Sequence, residues 1–442
     1  MAITKVVLIG AASASFGPAM IGDALLSDEL RGSTLVLVDI DHERLDVMAG
    51  FAHRLNASLE AGWHIEQTTE RCEALSGAAF VIVSVAVLRD ELWKQDFAIP
   101  IKHGIRQVLG ENGGPGGWSH SLRNIPLLLG IAKDMERLCP QALLLNFTNP
   151  ESRLSLAISR YTAQPFVGLC FGVTMGFESI SRITGIPQDD LDGTYGGLNH
   201  LGWFTAIHRR STGEDVYPLL RTQERRCDPE YLPLTRYLLR TFGLYPYPSD
   251  DHIAEYLSYG WEFCGLDGYH FAEADRHRAE QWAWISRVAS GTEPPPARPI
   301  ASLAEDGSPV DPRRVARLSP EFAWTIINAI VLGRPASIPA VNVRNEGLIP
   351  NLPPWAIVEV PGVAGPDGVH GVPIGPLPGG IAALCNTQAA VQDLTVEAAV
   401  HGSRELALQA LLADPVVQNT HAAEQTLDEL LSIHAPYLPT FR

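Results

Sequence analysis

Lys5-Val6-Val7-Leu8-Ile9-Gly10-Ala11-Ala12-Ser13-Ala14-Ser15-Phe16 decides the reading of the fold. Five consecutive apolar or stem-apolar residues run into a turn of small residues, and an amphipathic stretch, Gly17–Leu30, follows. An unbroken apolar run is what a parallel strand covered on both faces requires. A tight turn between such a strand and a helix points backbone N–H groups at a pyrophosphate. The strict G-x-G-x-x-G spacing is not met: Ala12 and Ser15 stand where the second and third glycines belong. Both are small enough for close approach, so Gly10, Ala12, Ser13, Ser15 and Phe16 are candidate cofactor contacts. A doubly wound fold that binds another ligand reads similarly over this stretch.

The alternation continues outward. Thr34–Val38 predicts a second strand, ending at Asp39-Ile40-Asp41, and His42–Leu59 predicts a helix. Asp39 is placed to accept hydrogen bonds from ribose hydroxyls. A carboxylate there repels a 2′-phosphate, which favours NAD over NADP. Phe80–Val87, Ala142–Phe147 and Phe166–Cys170 predict three more buried strands. The expectation is an α/β protein. Residues 1–195 form a Rossmann-type, doubly wound parallel sheet that binds NAD, and 196–442 form an α+β lobe for substrate and oligomerisation. In that second lobe Thr292–Pro312 reads as a Pro-rich surface excursion and Val360–Gly380 as ordered loop. Leu384–Leu412 and His421–Ile433 read as helical.

The chain of 442 residues carries a formal charge of −17, which opposes binding to nucleic acid and to anionic membranes. Its six cysteines are scattered without a C-x-x-C pair. No basic segment followed by an apolar core precedes the first strand, and no apolar run reaches membrane-spanning length. A reducing cytoplasm is the expected setting.

Four further stretches carry chemistry: Gly110-Glu111-Asn112-Gly113-Gly114-Pro115-Gly116-Gly117, Asn146-Phe147-Thr148-Asn149-Pro150, Gly168-Leu169-Cys170-Phe171-Gly172, and Gly197-Leu198-Asn199-His200. Cys170 ends a predicted strand at the sheet edge where open α/β folds bind ligands. Taken singly, a cysteine or histidine here is as readily structural. As a pair in Gly-rich turns, Cys170 and His200 are candidate ligands for a divalent ion with open positions.

With these stretches in hand, the sequence resembles glycoside hydrolase family 4, the NAD- and metal-dependent glycosidases related in fold to lactate and malate dehydrogenases. The resemblance includes Ile99–Gly104, Leu122-Arg123-Asn124-Ile125-Pro126, Asn351-Leu352-Pro353 and Val358-Glu359-Val360-Pro361, and covers most of the chain. It implies an exception to two-carboxylate glycoside hydrolysis. Hydride leaves C3 of the sugar for NAD+, the new carbonyl acidifies the C2 proton, a base removes it, and the aglycone is eliminated. Water then adds and the hydride returns. The resemblance assigns Cys170 and His200 to the metal, expected to be Mn2+ or another divalent ion. It assigns Asn149 to substrate, with Arg89, His252 and Asn345 as further candidate substrate contacts, and places Glu111, a catalytic candidate, in the active-site loop. Asp250 is the expected C2 base, with Asp251 beside it and Tyr245, Tyr247 or Tyr256 as alternatives. Ser249, Asp250 and Asp251 also suit a helix N-cap.

The sequence departs from the family pattern at one point. The family sorts substrates by the residue after the metal cysteine, where His, Asp or Asn is usual; here it is Phe171. Cys-Phe-Gly is nearest in shape to the Cys-His-Gly of uronide-cleaving members, and the missing Asp and Asn speak against the 6-phospho classes. The expected function is hydrolysis of an α-glycoside, an α-uronide or other C6-modified sugar included, by a homodimer or homotetramer. A non-catalytic NAD- or sugar-sensing descendant and a simple NAD-dependent dehydrogenase are the alternatives.

Overall fold

A computed structural model describes residues 3–297, 319 and 321–442. The expected Pro-rich excursion over Thr292–Pro312 lies mostly outside the described residues. The first strands form where the apolar runs predict them: β1 (Lys5–Ile9), β2 (Thr34–Val38), β4 (Phe80–Val83), β5 (Leu143–Asn146) and β6 (Phe166–Gly168). The run expected to reach Val87 stops at Val83, and the chain then turns into the helix Arg89–Lys102. One strand, β3 (His64–Thr68), is absent from the sequence-based expectation. It is an edge strand with no fully buried residue, so it lacks the apolar signature of its neighbours.

These six strands pair in parallel in the order β3-β2-β1-β4-β5-β6. That is the dinucleotide-binding order, with the topological switch between β1 and β4. The sheet does not end there. β7 (Leu191–Leu198), β8 (Leu201–Arg209), β9 (Tyr245–Tyr247), β10 (Ala336–Arg344), β11 (Ile357–Gly365) and β12 (Gly368–Gly371) extend it as antiparallel strands. The junction is slender, since β10 joins β6 through the single pair Asn342↔Gly168. Residues 195 and 196 both lie within β7.

Val360–Gly380 is more regular than its Gly and Pro content suggests. Its first part is the β11–β12 hairpin, closed between Gly365 and Gly368, and an irregular segment then leads into the helix Gly379–His401. Glycine is needed here for packing: a Cβ on Gly362 would stand 2.7 Å from a Val341 methyl. Among the described residues, no helix is long and apolar enough to cross a membrane.

Candidate active site

The C-terminal edge of the parallel strands gathers the chemistry, as the fold class dictates. After β1 the chain turns at Gly10, whose φ is +89°. A Cβ there would lie 2.0 Å from the Ser84 carbonyl oxygen beyond β4, so only glycine lets the two strand ends meet. The turn is closed by Ser13, whose Oγ accepts the Phe16 amide at 3.2 Å. The helix Gly17–Leu25 then begins without a side-chain cap. Uncapped N-terminal amides beside a small-residue turn fit a pyrophosphate. Asp39 Oδ2 accepts the Ala12 amide at 2.9 Å, which ties the end of β2 to the turn. Ser15 is exposed at the mouth, and Phe16 packs its ring 4.9 Å from that of Phe147. The proposed cofactor residues therefore form one surface, continuous with the loop after β5.

Asn149 lies in that loop, with its carbonyl accepting from Asn124 Nδ2 at 3.3 Å. One strand further along, Cys170 follows β6. His200 arrives from the antiparallel extension, in the two-residue turn between β7 and β8, with φ +63°. Histidine is among the non-glycine residues that tolerate this conformation. Cys170 Sγ and His200 Nε2 are 3.4 Å apart. Two donors bound to one ion at about 2.0–2.3 Å each stand ~3–4 Å apart, so the pair fits a shared metal. Burial drives the His200 pKa down to about 3, which keeps the imidazole neutral as ligation requires. Burial also pushes the Cys170 thiol up, so its proton is held until a cation displaces it. Donor atoms of His200, His252 and Glu255 lie within 4.8 Å of one another, and His200 Nδ1 is buried without a partner.

His252 packs its ring 4.4 Å from that of His200. Burial opposes its charge, but Glu255, then Asp251 and Glu111, outweigh that and lift its pKa to about 9. Glu111, in the glycine-rich loop, feels the charge of His252. Its burial is outweighed by the Arg89 guanidinium 2.6 Å away, with help from His252 and His120, and its pKa falls to about 2. Arg89 also lies over the Trp93 ring at 4.6 Å.

Two expected site residues are placed elsewhere. Asp250 is held by backbone amides. Its two carboxylate oxygens accept the Leu234 and Thr235 amides at 2.8 and 2.7 Å, capping the helix Pro233–Phe242. Capping is the other role its sequence context suited, although it caps a preceding helix and not its own. Asp250→Ala is expected to cost about 1 kcal/mol of stability while changing kcat by no more than a few-fold; thermal unfolding and steady-state kinetics on one preparation check this. Asn345 is also internal to a loop. It donates to the carbonyls of Ile349, Leu352 and Pro353 and accepts the Ile349 amide, which saturates the side chain.

Asp251 remains half-buried beside His252, its Oδ1 taken by Ser249 Oγ and the His252 amide. The alternative tyrosines are enclosed. Tyr245 bonds Ser179 Oγ at 2.8 Å, Tyr256 donates to the Asn199 carbonyl at 3.4 Å, and Tyr247 is fully buried beside Glu359. Burial pushes all three hydroxyls up, which holds them protonated.

Two buried carboxyls support the site from behind. Glu359 of β11 accepts from Asn199 Nδ2 at 2.8 Å and Asn342 Nδ2 at 3.1 Å, so it anchors the turn that presents His200. A charged residue inside the apolar run Val358–Val360 was the visible signal for it. Glu151 follows Asn149-Pro150 and bonds Ser155. A Cβ on Gly168 would fall 1.6 Å from its Oε1, so the glycine of β6 makes room for this carboxyl. Burial, reinforced by Glu359, raises Glu151 from 4.5 to about 8. The folded chain thus keeps a proton that the unfolded chain releases near pH 4.5. Stability falls as pH rises between these values, by about 1.4 kcal/mol per pH unit from this group. Glu151→Gln removes that slope: the variant's melting temperature relative to wild type should be higher at about pH 8.5 than at about pH 5. Equal differences at both pH values would contradict it.

A strand–turn–helix suited to a nucleotide and a Cys/His pair suited to a cation, both at one edge of the sheet, fit a nucleotide- and metal-dependent enzyme. The sequence profile of family 4 glycosyl hydrolases matches residues 5–186, and that of their C-terminal domain matches 195–417. The chain is 31% identical to an alpha-glucosidase of Erwinia rhapontici, over 98% of this chain and 99% of that one. It is equally 31% identical to an alpha-galactosidase of Bacillus subtilis, over 99% and 100%. In fold it is similar to a 6-phospho-alpha-glucosidase from gut microorganisms, solved in complex with NAD and Mn2+. That match has a TM-score of 0.84 at 23% identity and covers all of both chains. The chain belongs to glycosyl hydrolase family 4 and is a glycoside hydrolase.

Proposed function

We propose that this enzyme hydrolyses an α-glycoside by redox-neutral elimination and water addition. The observation that carries the reading is the Cys170–His200 pair, 3.4 Å apart at the edge of a Rossmann sheet. When bound, NAD+ takes up and returns the C3 hydride, and a divalent ion such as Mn2+ on Cys170 and His200 stabilises negative charge on the sugar. The turn Gly10–Phe16 and Asp39 hold the nucleotide. Asn149, at the end of β5, hydrogen-bonds sugar hydroxyls between nucleotide and metal. His252, whose ring lies against His200, takes the C2 proton in place of Asp250 when it is in its neutral form. Glu111 and Arg89 form the wall beside it. Their charges neutralise one another, so this wall offers hydrogen bonds and no free cation to a C6 anion. Neutral α-glucosides and α-galactosides are therefore the first substrates to test, ahead of uronides and 6-phosphates. The names of the two 31%-identical relatives support that choice. Phe171, 37% exposed after the metal cysteine, has no proton to give a departing aglycone. Aryl glycosides, which leave readily, are the suitable probes.

The reading includes a nucleotide lobe over 1–195 and a substrate lobe over 196–442, a homodimer or homotetramer, and a cytoplasmic setting. The last is supported by six free cysteines. Protein stripped of nucleotide should be inactive on an aryl α-glycoside and regain full rate with NAD+ at less than one equivalent per substrate turned over, with no NADH accumulating. Stoichiometric NADH would instead show a dehydrogenase, and full activity without NAD+ would exclude the redox route.

A further inference from the structure

We propose that Glu255 is a positioning residue that orients His252 by anchoring it to the glycine-rich loop. The proposal rests on the assignment of His252 as the group that takes the C2 proton. Glu255 is 1% exposed, and its two oxygens do different things. Oε2 accepts three successive backbone amides, from Glu111 at 2.7 Å, Asn112 at 2.6 Å and Gly113 at 3.0 Å. Successive amides converging on one anionic oxygen form a nest, a strong and directional clamp. Oε1 faces His252 Nδ1 at 3.4 Å. The loop is wrapped so closely that a Cβ on Gly113 would lie 2.6 Å from the Glu255 carbonyl oxygen and 2.7 Å from its Cβ.

The clamp has a chemical consequence. A carboxylate oxygen beside Nδ1 can only accept, so Nδ1 keeps its hydrogen and Nε2 is the ring atom left to exchange a proton. The same residue holds the backbone of Glu111, whose side chain turns away to Arg89. One carboxylate therefore ties His252 to the glycine-rich loop, across segments 144 residues apart.

Glu255→Gln separates the two roles. Its amide oxygen still fills the nest, but its NH2 replaces Oε1 and donates to Nδ1, which puts the hydrogen on Nε2 and removes the acceptor. The variant is expected to bind NAD+ as wild type does and to lose at least ~100-fold in kcat, the usual scale of general-base catalysis. Its isotope effect with a C2-deuterated aryl α-glucoside should rise, and that with the C3-deuterated substrate should fall towards unity. The double variant Glu255→Gln/His252→Asn should be no slower than His252→Asn alone. Glu255→Asp, which draws the charge back by one methylene, takes its place if Glu255→Gln does not fold, with the same pattern at smaller size. Isotope effects that keep the wild-type ratio, or penalties that add in the double variant, overturn the proposal and leave Glu255 a loop anchor. Absence of any C2 exchange in the wild type is a different failure, that of the elimination mechanism itself.

Discussion

Replacing Cys170 by serine should lower metal-supported kcat by about 10^3-fold or more while leaving the fold and NAD+ affinity unchanged. The size follows from the several kcal/mol that a dication supplies to developing charge, at about 1.4 kcal/mol per tenfold in rate. A serine hydroxyl keeps its proton at any working pH and offers no soft anionic donor. The sulfur's contacts are those of the site: Cys170 is half-buried after β6, beside the His200 ring, the Gly172 amide and the Asn199 side chain. His200→Asn should act alike. Asparagine tolerates the positive φ of the turn, so the variant deletes the ring without straining the hairpin. Bound metal measured by elemental analysis, kcat at saturating Mn2+ and the melting temperature together check the expectation. Near-normal turnover of Cys170→Ser in the presence of a chelator would make the pair structural.

The parts of the fold legible in the sequence are those with the strongest physical signature. β1, β2, β4 and β5 are almost wholly buried, so their apolar runs are unmistakable. β3 pairs just as regularly but at the edge, where His64, Glu66 and Gln67 face solvent and no pattern remains. The antiparallel extension was obscured by glycine. β7 contains Gly193, Gly196 and Gly197, residues that normally signal a loop. They are required because Cβ atoms there would meet neighbouring backbone at 2.4–2.8 Å.

The same division holds at the site. Cys170 and His200 were visible because each sits in a short turn whose composition betrays it. The cap that Asp250 makes was not legible because sequence shows that a carboxylate can cap a helix but not which helix it caps. Asn345 was misplaced because its four hydrogen bonds all return to its own loop. The clamp made by Glu255 left no local signal, since the three amides that it binds are 142–144 residues away and meet it only in the folded chain. His252 was singled out, but its place against His200 is a product of tertiary packing.

The central claim is that the C2–H bond of the sugar breaks in every turnover. Direct-displacement glycosidases leave that bond intact. On the proposed assignment His252 takes the C2 proton, and a proton taken by a side chain with partial solvent access exchanges before water adds back. The most direct measurement is hydrolysis of an aryl α-glucoside or α-galactoside in D2O with NAD+ and Mn2+, reading the released sugar by NMR before spontaneous exchange occurs. The account predicts deuterium at C2 of the released sugar; product with only hydrogen at C2 would contradict it.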